Sequence, residues 1–348
     1  MSKIINNIAL SNFSSYKIGG PARYFAEAES RDDLVSVLKQ WRKISKDSSM
    51  AERVLVLGGG TNVLIDDSGY DGLVIHNKIK DIKILNEDTK ILRDKDIKVK
   101  IGAGVLVSDI LNFCLENSLS GLSWAGGLPG TIGGAVRGNA GAFGGEIRDS
   151  IVEVSYISTC EVGDPATSQV GGKIRRRNKD ECSFGYRNSI FKTNPNEIII
   201  EAVLSLKKGN KDEIRNQINE KIEYRKLKHP NISDQPNIGS TFKNIPVRNA
   251  LACEAGGSID NLPKEVAEEF KDKIKTDPFP VLPAGKLIAG AGLTGERVGD
   301  ITVSKMHPNF LVNTGRGKSS DVLSLINKIK TAVKKKYEVV LEEEITII

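Results

Sequence analysis

Cysteine, histidine and aromatic side chains are scarce in this 348-residue chain, and each scarcity removes a class of function. The four cysteines, Cys114, Cys160, Cys182 and Cys253, stand far apart, form no Cys-x-x-Cys pair, and are joined by only three histidines. Such a donor set does not assemble a metal centre, so no metal is expected. Nor does it make a disulfide framework, and the thiols are expected to be reduced. Aromatic residues make up 5% of the chain, and none interleaves the basic run Lys173–Arg177. Without rings for base stacking, that run reads as a solvated hairpin tip, and no nucleic-acid partner is expected. Long apolar runs are absent too: none approaches the roughly 20 residues a membrane helix needs. The opening MSKIINNIALSNFSS lacks the apolar core of a secretory signal, so the expectation is a cytoplasmic protein with no membrane partner.

What remains is an ordinary globular composition, 39% hydrophobic and 27% charged, with a formal charge of +6. That balance suits an enzyme handling phosphorylated ligands. The length allows a sizeable core and two or three domains.

Glycine is abundant, with 34 residues, and concentrated. It clusters at Gly19–Gly20, Gly58–Gly60, Gly102 and Gly104, and then densely from Gly121 to Gly145. Short β-rich runs lie between the clusters: Val54–Leu57, Leu73–Ile75, Ile97–Ile101 and Ile151–Val154. Strand–glycine loop–strand alternation predicts an α+β domain whose loops approach a ligand closely. Past Asn210 the texture changes. Ile214, Ile218, Ile222 and Leu227 recur near helical spacing and Pro230 ends the run, so 211–228 is expected to be a helix leading into a second region. A further helix is expected over 320–336 and a closing strand over 337–348.

Two motifs mislead. Gly290–Gly295 fits G-x-G-x-x-G, but no strand precedes it and no acidic residue follows at the distance that would hold a ribose. Gly317-Lys318-Ser319 resembles the end of a phosphate-binding loop, yet Val312 stands where that motif needs glycine. Neither is expected to bind a nucleotide.

Two other loops carry more weight. Val54–Leu57 runs into Gly58, Gly59, Gly60, Thr61 and Asn62. Glycines after a strand let backbone N–H groups turn toward an anion, and Thr61 and Asn62 add side-chain hydrogen bonds. The second loop contains Pro129, Gly130, Thr131, Gly133, Gly134, Asn139 and Gly141. So much glycine costs conformational entropy, which close approach to a ligand would offset. A diphosphate-bridged cofactor accounts for both loops on one domain.

The segments YKIGGPA (16–22), LGGGTNVLI (57–65), GLPGTIGGAVRGNAGAFGGEI (127–147), FGYRNSIFK (184–192), GSTFKN (239–244) and VLEEEI (340–345) occur in one order. Together they resemble the UDP-N-acetylenolpyruvoylglucosamine reductase family over most of the chain. The resemblance implies an FAD-binding fold of the vanillyl-alcohol-oxidase type in two subdomains, plus an α+β substrate-binding domain. It implies boundaries near 1–78, 79–208 and 209–336, with 337–348 returning to the first part. It also implies FAD and NADPH as cofactors, a nucleotide-sugar substrate, and no obligate protein partner.

The implied reaction passes a hydride to the methylene carbon of an enolpyruvyl ether, so the protein must stabilise a carboxylate gaining charge and deliver a proton. By resemblance Ser240 is the proton donor, Arg187 the carboxylate-gripping cation and Glu344 the catalytic glutamate. A planar guanidinium suits the carboxylate. A hydroxyl suits the donor, because an ionised carboxylate there would repel the intermediate. Within Glu342-Glu343-Glu344, strand periodicity places Glu342 and Glu344 on one face and Glu343 among apolar neighbours. Tyr186, Lys243 and Asn244 are the expected substrate contacts.

The chain departs from the family pattern in places. The short spacing between Arg187 and Ser240 resembles that of the family subclass lacking the tyrosine-bearing loop that folds over bound substrate. Residues 246–282 form an insertion with a helical pattern from Lys264 to Lys275. Thr294 stands where lysine is expected, and Arg137, Gly138 and Phe143 also differ. Two rival readings are an FAD oxidase or dehydrogenase of the same fold, and a non-catalytic nucleotide-sugar-binding protein. The first commonly attaches flavin through histidine or cysteine, where this chain has Asn62 and Asn139. The second would be expected to lack Ser240 or Arg187, and both are present.

Overall fold

The computed structural model describes residues 2–45, 50, 52–85, 96–159, 172–247, 262–276 and 279–348. The chain divides into two compact units. One comprises Met1–Ala9, Pro21–Gly60 and Gly69–Arg225; the other comprises Leu10–Gly20, Thr61–Ser68 and Lys226–Ile348. Cys160, Cys253 and residues 248–261 of the insertion lie outside the described residues.

The first unit holds two sheets. In one, the strands run in the order Ile5–Ala9, Pro21–Ala28, Tyr70–Asn77, Val54–Leu57, antiparallel at the first pairing and parallel at the others. The helix Arg31–Ile44 buries Leu34, Val37, Leu38 and Trp41 in the core of this sheet. Ser30 starts the helix, its Oγ accepting from Asp33 N at 3.1 Å. The sequence reading missed this helix, although the apolar spacing and the capping serine both announce it.

The other sheet is antiparallel along Ile174–Asn178, Ile151–Ser158, Glu197–Lys208, Ile97–Gly102 and Ile82–Ile84. Its core takes in Val99, Ile101, Val154, Ala202 and Leu204, together with Ile110 and Leu111 of the helix Val107–Glu116. The basic run is not a hairpin tip: Ile174–Asn178 is a paired edge strand, with Arg176 salt-bridged to Glu153 and Arg177 to Glu197. Alternation along a strand sets these arginines against acidic neighbours.

The helix Lys211–Lys228 forms as expected and buries Ile214 and Ile218. Leu227, assigned to the same face, is instead 72% exposed. At about 100° per residue, a position five beyond Ile222 has turned about 140° away from the apolar stripe.

The second unit has the antiparallel strands Arg297–Val298, Ile301–Val303 and Leu311–Asn313, with the helices Ala284–Gly290 and Ser319–Tyr337. Val322, Leu325, Ile326, Ile329 and Val333 line the inner face of the long helix. Fully burying each such side chain contributes about 1.5–3 kcal/mol. Val63–Leu64 pairs parallel with Thr346–Ile347, so the end of the chain adds a strand beside an early segment.

The expected strand over 337–348 is mostly absent. The helix continues through Tyr337, Glu338 takes a left-handed conformation at its end (φ 57°), and only Thr346–Ile347 is a strand. The flanks of the insertion pair with each other, Ile245–Pro246 against Val281–Leu282, so the extra residues leave and return at one ladder. Within it the helical pattern is realised as Lys264–Glu269 followed by a tighter turn over Lys271–Lys273.

Both misleading motifs find structural explanations. Gly290–Gly295 follows the helix Ala284–Gly290 and does not open one after a strand. Gly317–Ser319 does open a helix, but the carboxylate of Asp67 accepts from Ser319 N at 2.8 Å and Ser320 N at 3.3 Å. A protein anion thus caps the N–H groups a phosphate would need.

Candidate active site

In the first unit the two glycine loops meet. A Cβ on Gly58 would collide with Thr131 Oγ1, so glycine there is what lets the loops touch. The second loop is anchored along Ala103–Val107: Val107 N donates to Gly130 O, Ile132 N to Val105 O, and Gly133 N to Ala103 O, at 2.8–3.0 Å. Thr131 then caps the short helix Ile132–Gly138, its Oγ1 accepting from Gly134 N at 3.4 Å. Gly59 is exposed, and a Cβ on Gly134 would meet only Thr131 Oγ1, at 3.7 Å. Open backbone on two touching loops is the surface an extended, diphosphate-bearing cofactor needs, and the residues fit FAD on that ground.

Gly141 and Gly145 also answer to the packing of the protein itself. A Cβ on Gly145 would strike Trp124, and one on Gly141 would lie 2.7 Å from Glu146 Cγ, 2.9 Å from Gly145 O and 3.3 Å from Arg187 Nη1. Their glycine content follows from internal packing, a reason the sequence does not separate from ligand approach.

Arg187 sits on a tight turn in which Gly185 and Asn188 exchange both backbone hydrogen bonds, at 3.0 and 3.1 Å. Its own backbone is left-handed, with φ 53°. Three contacts hold the turn on the glycine loop: Arg187 Nη2 donates to Gly141 O at 2.8 Å, Asn139 Nδ2 to Gly185 O at 2.9 Å, and Ser189 Oγ to Arg137 O at 2.7 Å. Asn139 is fully buried and also left-handed, with φ 43°. Left-handed non-glycine residues cost energy and persist where surrounding structure over-determines them, as these three contacts do here. The Arg187 guanidinium lies 5.4 Å from the centre of the Tyr186 ring.

The second unit brings together four other predicted residues. Ser240 bridges to Phe310, and Thr241 N donates to Asn309 O at 2.7 Å. On the other side of this extended segment, Glu344 N donates to Thr241 O and Lys243 N to Glu342 O. The backbones of Ser240 and Glu344 are therefore one residue out of register across a single pairing. Asn62 joins them, its Nδ2 donating to Glu344 O at 3.3 Å while its carbonyl accepts from Thr346 N at 3.0 Å. Thr61 precedes Asn62 in the same unit.

The three glutamates separate by partner. Glu342 pairs with Lys243 at 3.1 Å on the surface, and Glu343 pairs with Lys330 at 2.8 Å where apolar neighbours were expected. Glu344 shares in neither of these two ion pairs. Asn244 Oδ1 accepts from Ala284 N at 3.2 Å, starting the helix Ala284–Gly290.

Beside Ser240, which bridges to Phe310, stands an aromatic cluster. The His307 ring lies 4.8 Å from Phe310 and 5.2 Å from His229. Burial, then the charge of Lys275, pushes the His307 pKa down to about 4, so the ring is neutral near pH 7.

Residues 230–348 match the family model for the C-terminal domain of UDP-N-acetylenolpyruvoylglucosamine reductase, and residues 22–162 match an FAD binding domain. A UDP-N-acetylenolpyruvoylglucosamine reductase of Clostridium novyi is 33% identical over 99% of this chain and 92% of its own length. One from Caldanaerobacter subterraneus is also 33% identical, over 99% and 94%. The solved structure of the Thermus caldophilus enzyme covers 100% of this chain and 98% of its own, with a TM-score of 0.66 at 26% identity. These matches bear out the expected α+β, FAD-binding fold. The chain belongs to the UDP-N-acetylenolpyruvoylglucosamine reductase family.

Proposed function

We propose that this chain reduces the enolpyruvyl group of UDP-N-acetylglucosamine-enolpyruvate to the lactyl ether of UDP-N-acetylmuramate, a cytoplasmic step of peptidoglycan precursor synthesis. The observation that carries the reading is full-length family relatedness in a chain that sets Ser240 and Glu344 across one strand pairing. The cofactor is held by Gly58, Gly59, Gly60, Thr61, Asn62, Pro129, Gly130, Thr131, Gly133, Gly134, Asn139 and Gly141. Bound FAD supplies the hydride, with NADPH as its source.

Each protein group then has one task. Arg187 binds the substrate carboxylate and stabilises the charge that spreads into it as the carbon–carbon double bond is consumed. Ser240 gives its hydroxyl proton to the carbon next to that carboxylate. Glu344 hydrogen-bonds the carboxyl group, and Tyr186, Lys243 and Asn244 complete the substrate contacts. Lys243 is released from its ion pair with Glu342 at small cost, since exposed pairs are worth about 0–1 kcal/mol. The division into parts 1–78, 79–208 and 209–336 belongs to the same reading.

The test is direct. Purified protein should be yellow, and its oxidation of NADPH should depend on the enolpyruvyl nucleotide-sugar. A colourless protein, or oxidation indifferent to that compound, defeats the reading.

A further inference from the structure

The helix Lys211–Lys228 carries a charge on its buried stripe. Arg225 lies seven positions beyond Ile218 and eleven beyond Ile214, the two buried residues of the helix, so it falls between them on one face, about 20° from each. Its side chain is built into the glycine loop. Nε donates to Gly126 O at 2.9 Å, and the guanidinium lies 5.3 Å from the centre of the Phe143 ring. Gly127 leaves room for it, since a Cβ there would lie 3.0 Å from Arg225 Cδ. Phe143 is itself left-handed, with φ 49°, and its ring also meets Tyr224 edge-on at 5.2 Å.

Nη2 of this guanidinium is buried and has no hydrogen-bond partner among the described residues. A buried N–H of a cation left without an acceptor costs several kcal/mol unless something supplies one. Burial first, and the charge of Arg187 second, bring the Arg225 pKa down to about 10. Arg225 thus remains positive near neutral pH, close to Arg187. Arg187 Nη2 is tied to the carbonyl of Gly141 and Arg225 Nε to that of Gly126, and the Arg225 guanidinium lies over the Phe143 ring two residues beyond Gly141; an anion stabilises guanidiniums gathered on one loop in this way.

We infer that Arg225 is a second substrate-binding cation, which donates through Nη2 to the carboxylate of the enolpyruvyl group alongside Arg187, and that Phe143 and Gly126 position it. The inference rests on the proposed reaction and names a contact for it that the family motifs did not. Phe143, one of the departures from the family pattern, gains a task here as the ring that orients the guanidinium.

The experiment compares wild type with Arg225→Met, Arg225→Lys and Phe143→Ala. Substrate-dependent NADPH oxidation by the wild type first establishes the reaction; its absence defeats that reading whatever Arg225 does. Arg225→Met should keep its flavin and be bleached by NADPH at a rate near wild type. Its KM for the enolpyruvyl nucleotide-sugar should rise roughly 10- to 100-fold, the range of one charge-assisted hydrogen bond, with Arg225→Lys recovering part of the loss. Phe143→Ala should shift the same constant in the same direction by less. Affinity for UDP-N-acetylglucosamine, which has the diphosphate and lacks the enolpyruvyl carboxylate, should be unchanged in all three.

Wild-type KM in Arg225→Met overturns the inference. So does equal loss of UDP-N-acetylglucosamine affinity, which would assign the guanidinium to phosphate. Lost flavin or lost bleaching with an unaltered substrate constant overturns it as well, because Arg225 would then serve only the loop. Should Arg225→Met fail to fold, Arg225→Lys decides by the same constants.

Discussion

Arg187 Nη2 donates to the carbonyl of Gly141 at 2.8 Å, and the same glycine leaves only 3.3 Å between its missing side chain and Arg187 Nη1. The glycine loop is therefore a mould for the arginine as well as a candidate cofactor cradle. Gly141→Ala puts a methyl group between Arg187, Glu146 Cγ and Gly145 O. Overpacking of this kind costs about 1–3 kcal/mol. The variant should melt several degrees lower and lose substrate turnover more than NADPH-driven flavin bleaching. Wild-type turnover with unchanged melting would mean that Arg187 does not depend on this contact.

Gly58 makes the corresponding prediction for the cofactor. Its missing side chain is what allows the first glycine loop to touch Thr131. Gly58→Ala should separate the loops, and purified protein should carry substantially less flavin by absorbance per mole of chain. Replacing Thr131 by serine in the same protein should restore little, because the clash is with the hydroxyl oxygen itself. Full flavin occupancy in Gly58→Ala would remove the loops' contact from the account.

The half-buried His307 gives a pH prediction with a definite sign. Its native pKa is about 4 against an ordinary value of 6.5. The native state thus disfavours the charged ring, which is enclosed with the His229 and Phe310 rings and stands near Lys275 and Lys286. Between pH 6.5 and 4 the unfolded chain binds the extra proton, so stability falls as pH falls through that window and levels off below it. By pH 5 the loss is on the order of 2 kcal/mol. Urea unfolding at pH 7 and pH 5 should show this loss in the wild type and a clearly smaller one in His307→Gln. Equal pH dependence in both proteins would contradict a neutral ring at His307.

Much of this molecule is legible in its sequence, and the illegible parts share a physical cause. Val54–Leu57 and the helix Lys211–Lys228 were readable because apolar pattern and terminating residues agreed. The segment 338–345 failed as a strand because its β-rich pattern competes with a helix that runs on to Tyr337, and only isolated bridging follows. Leu227 failed by phase, since one residue of spacing on a helix is about 100° of rotation. The same arithmetic hid Arg225. A charged residue on an apolar stripe looks like the end of the stripe until a partner for it is known.

The predicted site residues show the same limit. Ser240 and Arg187 could be named from motifs, but the roles of Gly141, Asn139 and Gly145 could not. Whether a glycine faces a ligand, an arginine or Trp124 is decided by tertiary contacts that no spacing encodes. Lys243 and Asn244 were legible as members of a motif, while their present partners, Glu342 and the N–H of Ala284, come from segments far along the chain.

The central claim is that Ser240 protonates the carbon adjacent to the one that has just accepted a hydride, and one anaerobic experiment addresses it. Wild-type protein and Ser240→Ala are reduced with NADPH, freed of nucleotide, and mixed with the enolpyruvyl nucleotide-sugar while flavin absorbance is followed. Both should bleach alike with NADPH. The wild type should then regain its yellow colour as saturated product forms, while Ser240→Ala recovers at least about 100-fold more slowly, the lower end of what a positioned proton donor supplies. Recovery of Ser240→Ala at the wild-type rate, or failure of Ser240→Ala to bleach in the first place, would contradict the account.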